Sequence, residues 1–400
     1  MGMGCNVTRR YPARDQVAIV GIGTTPFSRD SGRSELSLVL EACQNAIKDA
    51  GLTKHDIDGL SGDIFRNEIV QSALGIPETG WSVSCLTAFN IQMTNAMMAV
   101  ASGVCETVLV HHSMYRTPML SASAAKDPYR RRAQTFIGQR RQQSHWPDSI
   151  AGEASVYAPW ARKYFDTYKA RREHLGCIAL NHRTNARMND HAAVQDPLTM
   201  NDYLGARMVW DPLSILDIEF PVDGADAFVV TTAERAGDLP HPPVLIHAAV
   251  AGQTDRTAEE NMVDVDHTSQ GVVSRRLWDV SELTLDDIDL FYPFDGFSII
   301  TLKWFEEIGY CGRGEAGDFL DDNWDEATGR IMIGGRIPVN SHGGNMSEGA
   351  SQGSGHIREA VHQLRGDAGE RQVAQARAAL VTPGGFFFTP GGLIFRTADR

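Results

Sequence analysis

One nine-residue pattern occurs twice in this chain, and it limits the fold more than any other feature. Leu52-Thr53-Lys54-His55-Asp56-Ile57-Asp58-Gly59-Leu60 is echoed by Leu283-Thr284-Leu285-Asp286-Asp287-Ile288-Asp289-Leu290-Phe291, and each copy follows a helical pattern and enters a strand-like one. In the first half, Val17 to Ile22 is an apolar run of the kind buried on both faces of a parallel sheet. Leu36, Val39, Leu40, Cys43 and Ile47 then recur at helical spacing, closed by Gly51. Met93, Ala96, Met97 and Val100 form another apolar face ended by Gly103, and Thr107 to Val110 reads as a buried strand. Strand-like runs resume at Ala227 to Val230 and Val244 to His247, with Pro240, Pro242 and Pro243 at the join. Alternating β and α segments plus the echo predict two similar α/β halves, residues 15–239 and 240–400, packed with a site between them. Residues from about 112 to 213 are richer in Arg, His, Asn and Asp, with helices expected around Tyr157–Tyr168 and Ile178–Arg187. They read as an insertion laid over the core of the first half.

With 400 residues, 42% hydrophobic and 22% charged, the chain is long enough for two sizeable cores. A formal net charge of -13 argues against general affinity for nucleic acid or an anionic membrane. The six cysteines, Cys5, Cys43, Cys85, Cys105, Cys177 and Cys311, form no CxxC pair and no Cys/His ligand spacing, so a reduced, metal-free cytoplasmic protein is expected. The run after the N-terminal arginines is strand-sized and broken by glycine, unlike a signal peptide. Asn6 stands where myristoylation at Gly2 wants Ser or Thr. No apolar segment approaches the roughly 20 residues that span a bilayer.

Several clusters carry candidate chemistry, each beside a plainer reading. In Asn340-Ser-His-Gly-Gly-Asn-Met-Ser-Glu-Gly-Ala350, His342 can donate to a developing oxyanion, while Gly343 and Gly344 let backbone approach a substrate; the plainer reading is a tight turn. Gly21-Ile22-Gly23-Thr24-Thr25-Pro26 suits a strand-end turn better than a dinucleotide loop, because a polar stretch separates it from the next helix. Cys85 precedes a helix whose N-terminus would lower a thiol pKa and make a nucleophile; alternatively it is a buried structural thiol. Asp295, after Phe291-Tyr292-Pro293-Phe294, can cap the helix that runs through Trp304 and Phe305, or act as a base with Tyr292 donating a proton. Arg130, Arg131, Arg132, Arg140 and Arg141 form a basic patch that is either a solvated face or a seat for the phosphates of coenzyme A.

With Phe294-Asp295-Gly296-Phe297, Gly309-Tyr-Cys-Gly-Arg-Gly-Glu-Ala-Gly-Asp-Phe319 and Asn340-Ser-His-Gly-Gly344, the chain resembles the thiolase superfamily. Within it, the likeness is to lipid-transfer or sterol-carrier-type thiolase-like proteins, including bacterial steroid side-chain-cleaving aldolases. It extends through Ser31-Gly-Arg-Ser-Glu-Leu36, Leu216-Asp217 and Pro221-Val-Asp-Gly-Ala225. The resemblance implies a thiolase fold: two βαβαβαββ halves forming a five-layered αβαβα core, with a loop domain inserted in the first. It also implies acyl-CoA thioester substrates, no permanently bound cofactor, homodimerisation and, for the aldolase-like members, a small OB-fold, zinc-ribbon partner.

Departures from the family pattern redirect the expected chemistry. Leu86 stands where a degradative thiolase has its nucleophilic Cys, with Cys85 one residue early. Ala350 replaces the His of the Gly-His-Pro turn, and Thr382-Pro383-Gly384-Gly385 stands near the second Cys. Phe294 and Ala350 occupy the positions of two tyrosines in the aldolase-like relatives. The expected function is retro-aldol cleavage of a β-hydroxyacyl-CoA, with a steroid-like side chain as candidate substrate. His342 and the Gly385 backbone are the expected oxyanion donors, and Asp295 or Tyr292 the proton-moving groups. The alternatives are a non-catalytic acyl-CoA-binding scaffold and an altered acyl transfer at Cys85.

Overall fold

The computed structural model describes residues 11–62, 65–85, 89–116, 154–255, 265–385 and 390–398. From the first half come β1 (Val17–Thr24), β2 (Gly59–Gly62), β3 (Trp81–Ser84), β4 (Thr107–Tyr115) and β5 (Asp223–Thr232). The second half supplies β6 (Val244–Ala251), β7 (Leu290–Pro293), β8 (Ala378–Thr382) and β9 (Gly391–Thr397). All join one sheet in the order β3-β2-β4-β5-β1-β6-β9-β8-β7. Only a short antiparallel seam, Ala18 opposite Leu245 and Ile19 opposite Val244, links the halves within it.

Outward from that seam the halves repeat. β1 runs antiparallel to β5, β5 antiparallel to β4, and β4 parallel to β2. In the same sequence β6 is antiparallel to β9, β9 antiparallel to β8, and β8 parallel to β7. The repeated nonapeptide marks corresponding places. Thr53 and Thr284 each open a short 3-10 turn whose third residue, Asp56 or Asp287, reaches back to the threonine N–H at 2.8 Å. Asp58 then accepts the N–H of Thr107 at 2.8 Å, and Asp289 that of Arg377 at 2.8 Å, so each aspartate stitches its strand to the neighbouring strand start. The echo is thus a duplicated structural device.

Helices α1 (Glu35–Asp49), α2 (Phe89–Ala101), α3 (Arg172–Ala186), α4 (Ser269–Val280), α5 (Ser298–Ile308), α6 (Gly344–Ser347) and α7 (Ser354–Arg365) complete the frame. Leu38, Val39 and Ala42 of α1 cover Ala18, Val20 and Val229 on one outer face. Val273 and Leu277 of α4 with Trp304 of α5 cover Phe291, Leu380 and Ile394 on the other. Between them, Met93 and Met97 of α2 and Ile357 and Val361 of α7 pack against strands of both halves, among them Ile19, Phe228, Val381 and Phe395. This is the α-β-α-β-α stack of a thiolase fold. A helix in the central layer is covered on more than one side, so α2 buries Asn90 and Gln92 along with its apolar residues. Each large apolar side chain fully buried here contributes about 1.5–3 kcal/mol.

The insertion leaves after β4 and returns at β5. α3 belongs to it, yet its Asn181 and Asn185 donate to the Val339 carbonyl of the second half at 2.9 and 3.0 Å. A second cross-link is ionic. Arg358 of α7 pairs with Asp226 of β5 and with Glu348, and Ser354 donates to Asp226 at 2.6 Å; these charged groups are almost wholly buried. Removing one partner of such a pair strands a buried charge, which is costlier than the pair's net worth. Arg358→Met is therefore expected to lower unfolding free energy by about 3–5 kcal/mol in urea titration, and a loss under about 1 kcal/mol would contradict this role.

Candidate active site

β7 and β8 run parallel and end together, Thr382 opposite Pro293, and the Phe294 N–H donates to the Thr382 carbonyl at 3.1 Å. The loops carrying Asp295 and Gly385 therefore leave the same edge of the sheet, where the carboxyl ends of parallel strands commonly form ligand sites. Asp295 does not cap the helix that follows it: α5 is capped at Phe297, with no side-chain hydrogen bond. Instead the carboxylate reaches about fifty residues along the chain to α6, accepting the N–H of Asn345 at 2.9 Å and of Met346 at 3.0 Å. It also accepts from His356 Nε2 at 3.0 Å, and His182 Nε2 lies 3.4 Å from its second oxygen. Burial alone would raise its pKa, but His182, the His356 hydrogen bond and the Asn345 amide outweigh it and hold the carboxyl at about 2.

Gly343 and Gly344 serve this convergence rather than an open backbone facing a substrate, which corrects the sequence expectation. Their φ angles are +105° and +60°. A Cβ on Gly343 would lie 2.7 Å from that of Ala186 on α3, and one on Gly344 would lie 2.2 Å from an Asp295 oxygen. Both positions need glycine because α6 is pressed between α3 and the carboxylate.

Three imidazoles surround Asp295 with different hydrogen-bonding states. His182 on α3 is 2.6 Å from the Ile178 carbonyl through Nδ1 and 2.7 Å from Asn340 Nδ2 through Nε2. A carbonyl can only accept and an amide nitrogen only donate, so His182 is neutral, protonated at Nδ1, and engaged at both nitrogens. Its pKa is lowered, chiefly by burial. His356, in the first turn of α7, donates to Asp295 from Nε2, so in the neutral ring the lone pair is on Nδ1. That Nδ1 has no hydrogen-bond partner among the described residues. His342 is 1% exposed, and neither of its ring nitrogens has such a partner. Its ring meets His356 edge-on at 4.7 Å between centroids. Burial first, and then His356, depress the His342 pKa far below the usual histidine range, so it is a neutral imidazole with one N–H and one lone pair.

The remaining candidates are distributed unevenly around this cluster. Tyr292 packs its ring 5.8 Å from that of His342, and its hydroxyl meets Ser341 Oγ at 3.1 Å. Ser341 donates in turn to Glu359, which Arg371 grips. Burial and then the Glu359 charge push the Tyr292 pKa well up, so the phenol keeps its proton. Gly385 follows Gly384, whose φ is +92° and whose carbonyl accepts from Trp304 Nε1 at 3.4 Å. Cys85 departs from expectation, because burial raises its thiol pKa even though Asn95 Nδ2 lies 3.6 Å from the sulfur. Arg130, Arg131, Arg132, Arg140 and Arg141 lie outside the described residues. Sequence reasoning missed His182 and His356. Each lies in a helix that carries a second histidine, His174 or His362, so the sequence offers no local signal that singles them out.

Elsewhere, a surface groove of about 560 Å³ runs past Thr24, Lys48, Asp49, His241 and His362. It contains none of the Asp295 cluster. Among the described residues no His, Cys, Asp and Glu group could hold a metal ion, and no helix is long and apolar enough to cross a membrane.

Known proteins match the fold over most of the length of the chain. Residues 251–397 match the family described as Thiolase C-terminal domain-like. The chain is 36% identical over 387 residues to the 17-hydroxy-3-oxo-4-pregnene-20-carboxyl-CoA lyase of Mycobacterium tuberculosis, covering 92% of this chain and 96% of the relative. It is 35% identical over 413 residues to the steroid side-chain-cleaving aldolase of Thermomonospora curvata, covering 96% and 98%. The solved Ltp2-ChsH2(DUF35) aldolase superposes with a TM-score of 0.85 at 33% identity, over 98% of this chain and 100% of that one. The chain belongs to the thiolase superfamily, within its group of steroid side-chain-cleaving aldolases.

Proposed function

We propose that this protein is a carbon-carbon lyase that cleaves a β-hydroxyacyl-CoA by retro-aldol chemistry, with a steroid-bearing acyl chain as substrate. The observation that carries the reading is the His342 imidazole: buried, neutral and unengaged at both nitrogens, beside an Asp295-anchored histidine. Retro-aldol cleavage needs removal of the β-hydroxyl proton and stabilisation of the thioester enolate that departs. A neutral imidazole N–H in a water-poor site suits the second task, and the Gly385 amide is its proposed companion donor. Two full-length relatives named for this class of reaction support the same reading.

No acyl-enzyme is required for such a cleavage. The raised pKa of Cys85 argues against a thiolate there and so against acyl transfer. By analogy with the Ltp2-ChsH2(DUF35) aldolase, the protein works with a small second subunit of the OB-fold, zinc-ribbon type. Homodimerisation and a cytoplasmic location complete the proposal.

The test is turnover of 17-hydroxy-3-oxo-4-pregnene-20-carboxyl-CoA, with and without a DUF35 subunit, following the ketone and the shortened acyl-CoA. His342→Ala is expected to lower kcat by about 10²–10³, the usual cost of losing an oxyanion donor; undiminished turnover would remove this assignment. Binding without cleavage, even with the second subunit, would favour a scaffold. Intact mass after incubation with acyl-CoA should show no adduct at Cys85, whereas a mass increase lost in Cys85→Ser would establish acyl transfer instead.

A further inference from the structure

We infer that His356, held by Asp295, is the general base that takes the β-hydroxyl proton, standing in for the tyrosines that Phe294 and Ala350 replace. The inference rests on the lyase reading above and names the proton acceptor that the reading leaves open.

Candidates near the cluster can be sorted by what their atoms already do. Asp295 is 0% exposed, and its two oxygens receive the Asn345 and Met346 amides and His356 Nε2. It orients other groups and is a positioning residue. Tyr292 keeps its proton, and its hydroxyl is hydrogen-bonded to Ser341. His182 is occupied at both nitrogens by Ile178 and Asn340. His356 alone among these combines a fixed tautomer with a nitrogen lone pair unclaimed by any described residue. A carboxylate behind an imidazole does two things for a base: it fixes the ring with its lone pair forward, and it stabilises the imidazolium that forms on proton uptake.

The location fits as well. The ring of His356 lies 6.3 Å from that of Phe294, the position at which the aldolase-like relatives carry a hydroxyl, and 4.7 Å from His342. Base and oxyanion donor are therefore adjacent, as required when the proton leaves one end of a three-carbon unit and charge accumulates at the other. The charged and titratable groups facing this pair are Asp295, His182 on α3, and Glu348, Glu359 and Arg358 around His342.

The step balances without a co-reactant. His356 Nδ1 accepts the β-hydroxyl proton, the oxygen electrons form the new carbonyl, and the Cα–Cβ bond breaks. Its electron pair becomes the thioester enolate, whose oxygen His342 holds. The proton on Nδ1 then returns to Cα, giving the shortened acyl-CoA and regenerating the neutral imidazole.

His356→Gln separates a chemical role from a structural one. The glutamine amide can still donate to Asp295, so a merely structural histidine would be replaced with little effect, but it offers no base. With 17-hydroxy-3-oxo-4-pregnene-20-carboxyl-CoA and the DUF35 subunit, kcat should fall by about 10²–10⁴ with KM changed less than about threefold and an unchanged thermal midpoint. His356→Gly should recover part of its kcat on addition of imidazole to the buffer. If the unsubstituted protein cleaves the substrate and His356→Gln retains kcat within about threefold, His356 is not the base and the lyase reading stands. If His356→Gln and His356→Gly both lose activity together with their thermal midpoint, and imidazole restores none, the residue is structural. If the unsubstituted protein does not cleave at all, both the reading and this inference fall.

Discussion

A single buried carboxylate organises the end of the sheet on which everything functional converges. Asp295 has no contact with solvent, and an ionised carboxylate in that setting persists only if its oxygens are matched by donors. Its donors come from separate parts of the chain, the first turn of α6 and the first turn of α7, and His182 on α3 of the insertion packs beside it. Because the carboxylate fixes all of them at once, the positions of His342, His356 and His182 are not independent. Gly344 has to lack a side chain because the carboxylate occupies the space a Cβ would take. The charge also fixes tautomers. A neutral acid at 295 would leave the His356 ring free to turn, whereas the ionised form holds its Nε2–H in place.

The duplicated half explains why such a site arises at a seam. Each half contributes one outer helix layer and one face to the central layer, and α2 and α7 can be buried only when both halves are present. The Asp226–Arg358–Glu348 group ties β5 of the first half to α7 of the second, and α7 also carries His356. The ionic link that aligns the halves thus bears on the same helix that presents the imidazole. A displacement of α7 by a fraction of an ångström would loosen both, so domain alignment and site geometry are one mechanical problem.

Local patterns were legible and remote partnerships were not. Val17 to Ile22 reads as a strand because it is an apolar run interrupted only by Gly21, and it is one, extended to Thr24. Thr107 to Val110 reads as a strand that stops short, because His111 and His112 interrupt the apolar run; pairing with β5 carries it to Tyr115. β5 likewise reads as a strand only from Ala227, since Asp223, Gly224 and Asp226 resemble a turn until Arg358 supplies the charge that lets Asp226 be buried. From the sequence Asp295 reads either as a cap for its own helix or as a base, because local sequence shows no other partner for it. Its true partners lie 50, 51 and 61 positions away. His182 and His356 carry no local mark of their role, because a histidine in a helix becomes a functional group only through what the fold sets against it.

Loss of the thiolase cysteines and histidine removes one chemistry without removing the fold's capacity for another. Thiolysis needs a nucleophile that forms a bond to the acyl carbon, and burial raises the pKa of the candidate thiol, Cys85, which favours its protonated form. Retro-aldol cleavage needs no such bond. Its requirements are a base at the β-oxygen and a donor at the thioester oxygen, and an imidazole can fill either role according to which nitrogen is free. Placing two histidines edge to face, with a carboxylate behind only one, differentiates them: His356 has its Nε2 engaged by Asp295 and turns Nδ1 away from it, while His342, unclaimed and neutral, can present its N–H. The asymmetry comes entirely from Asp295. The same side chain type thus serves both ends of the reacting unit because the fold gives each copy a different neighbour.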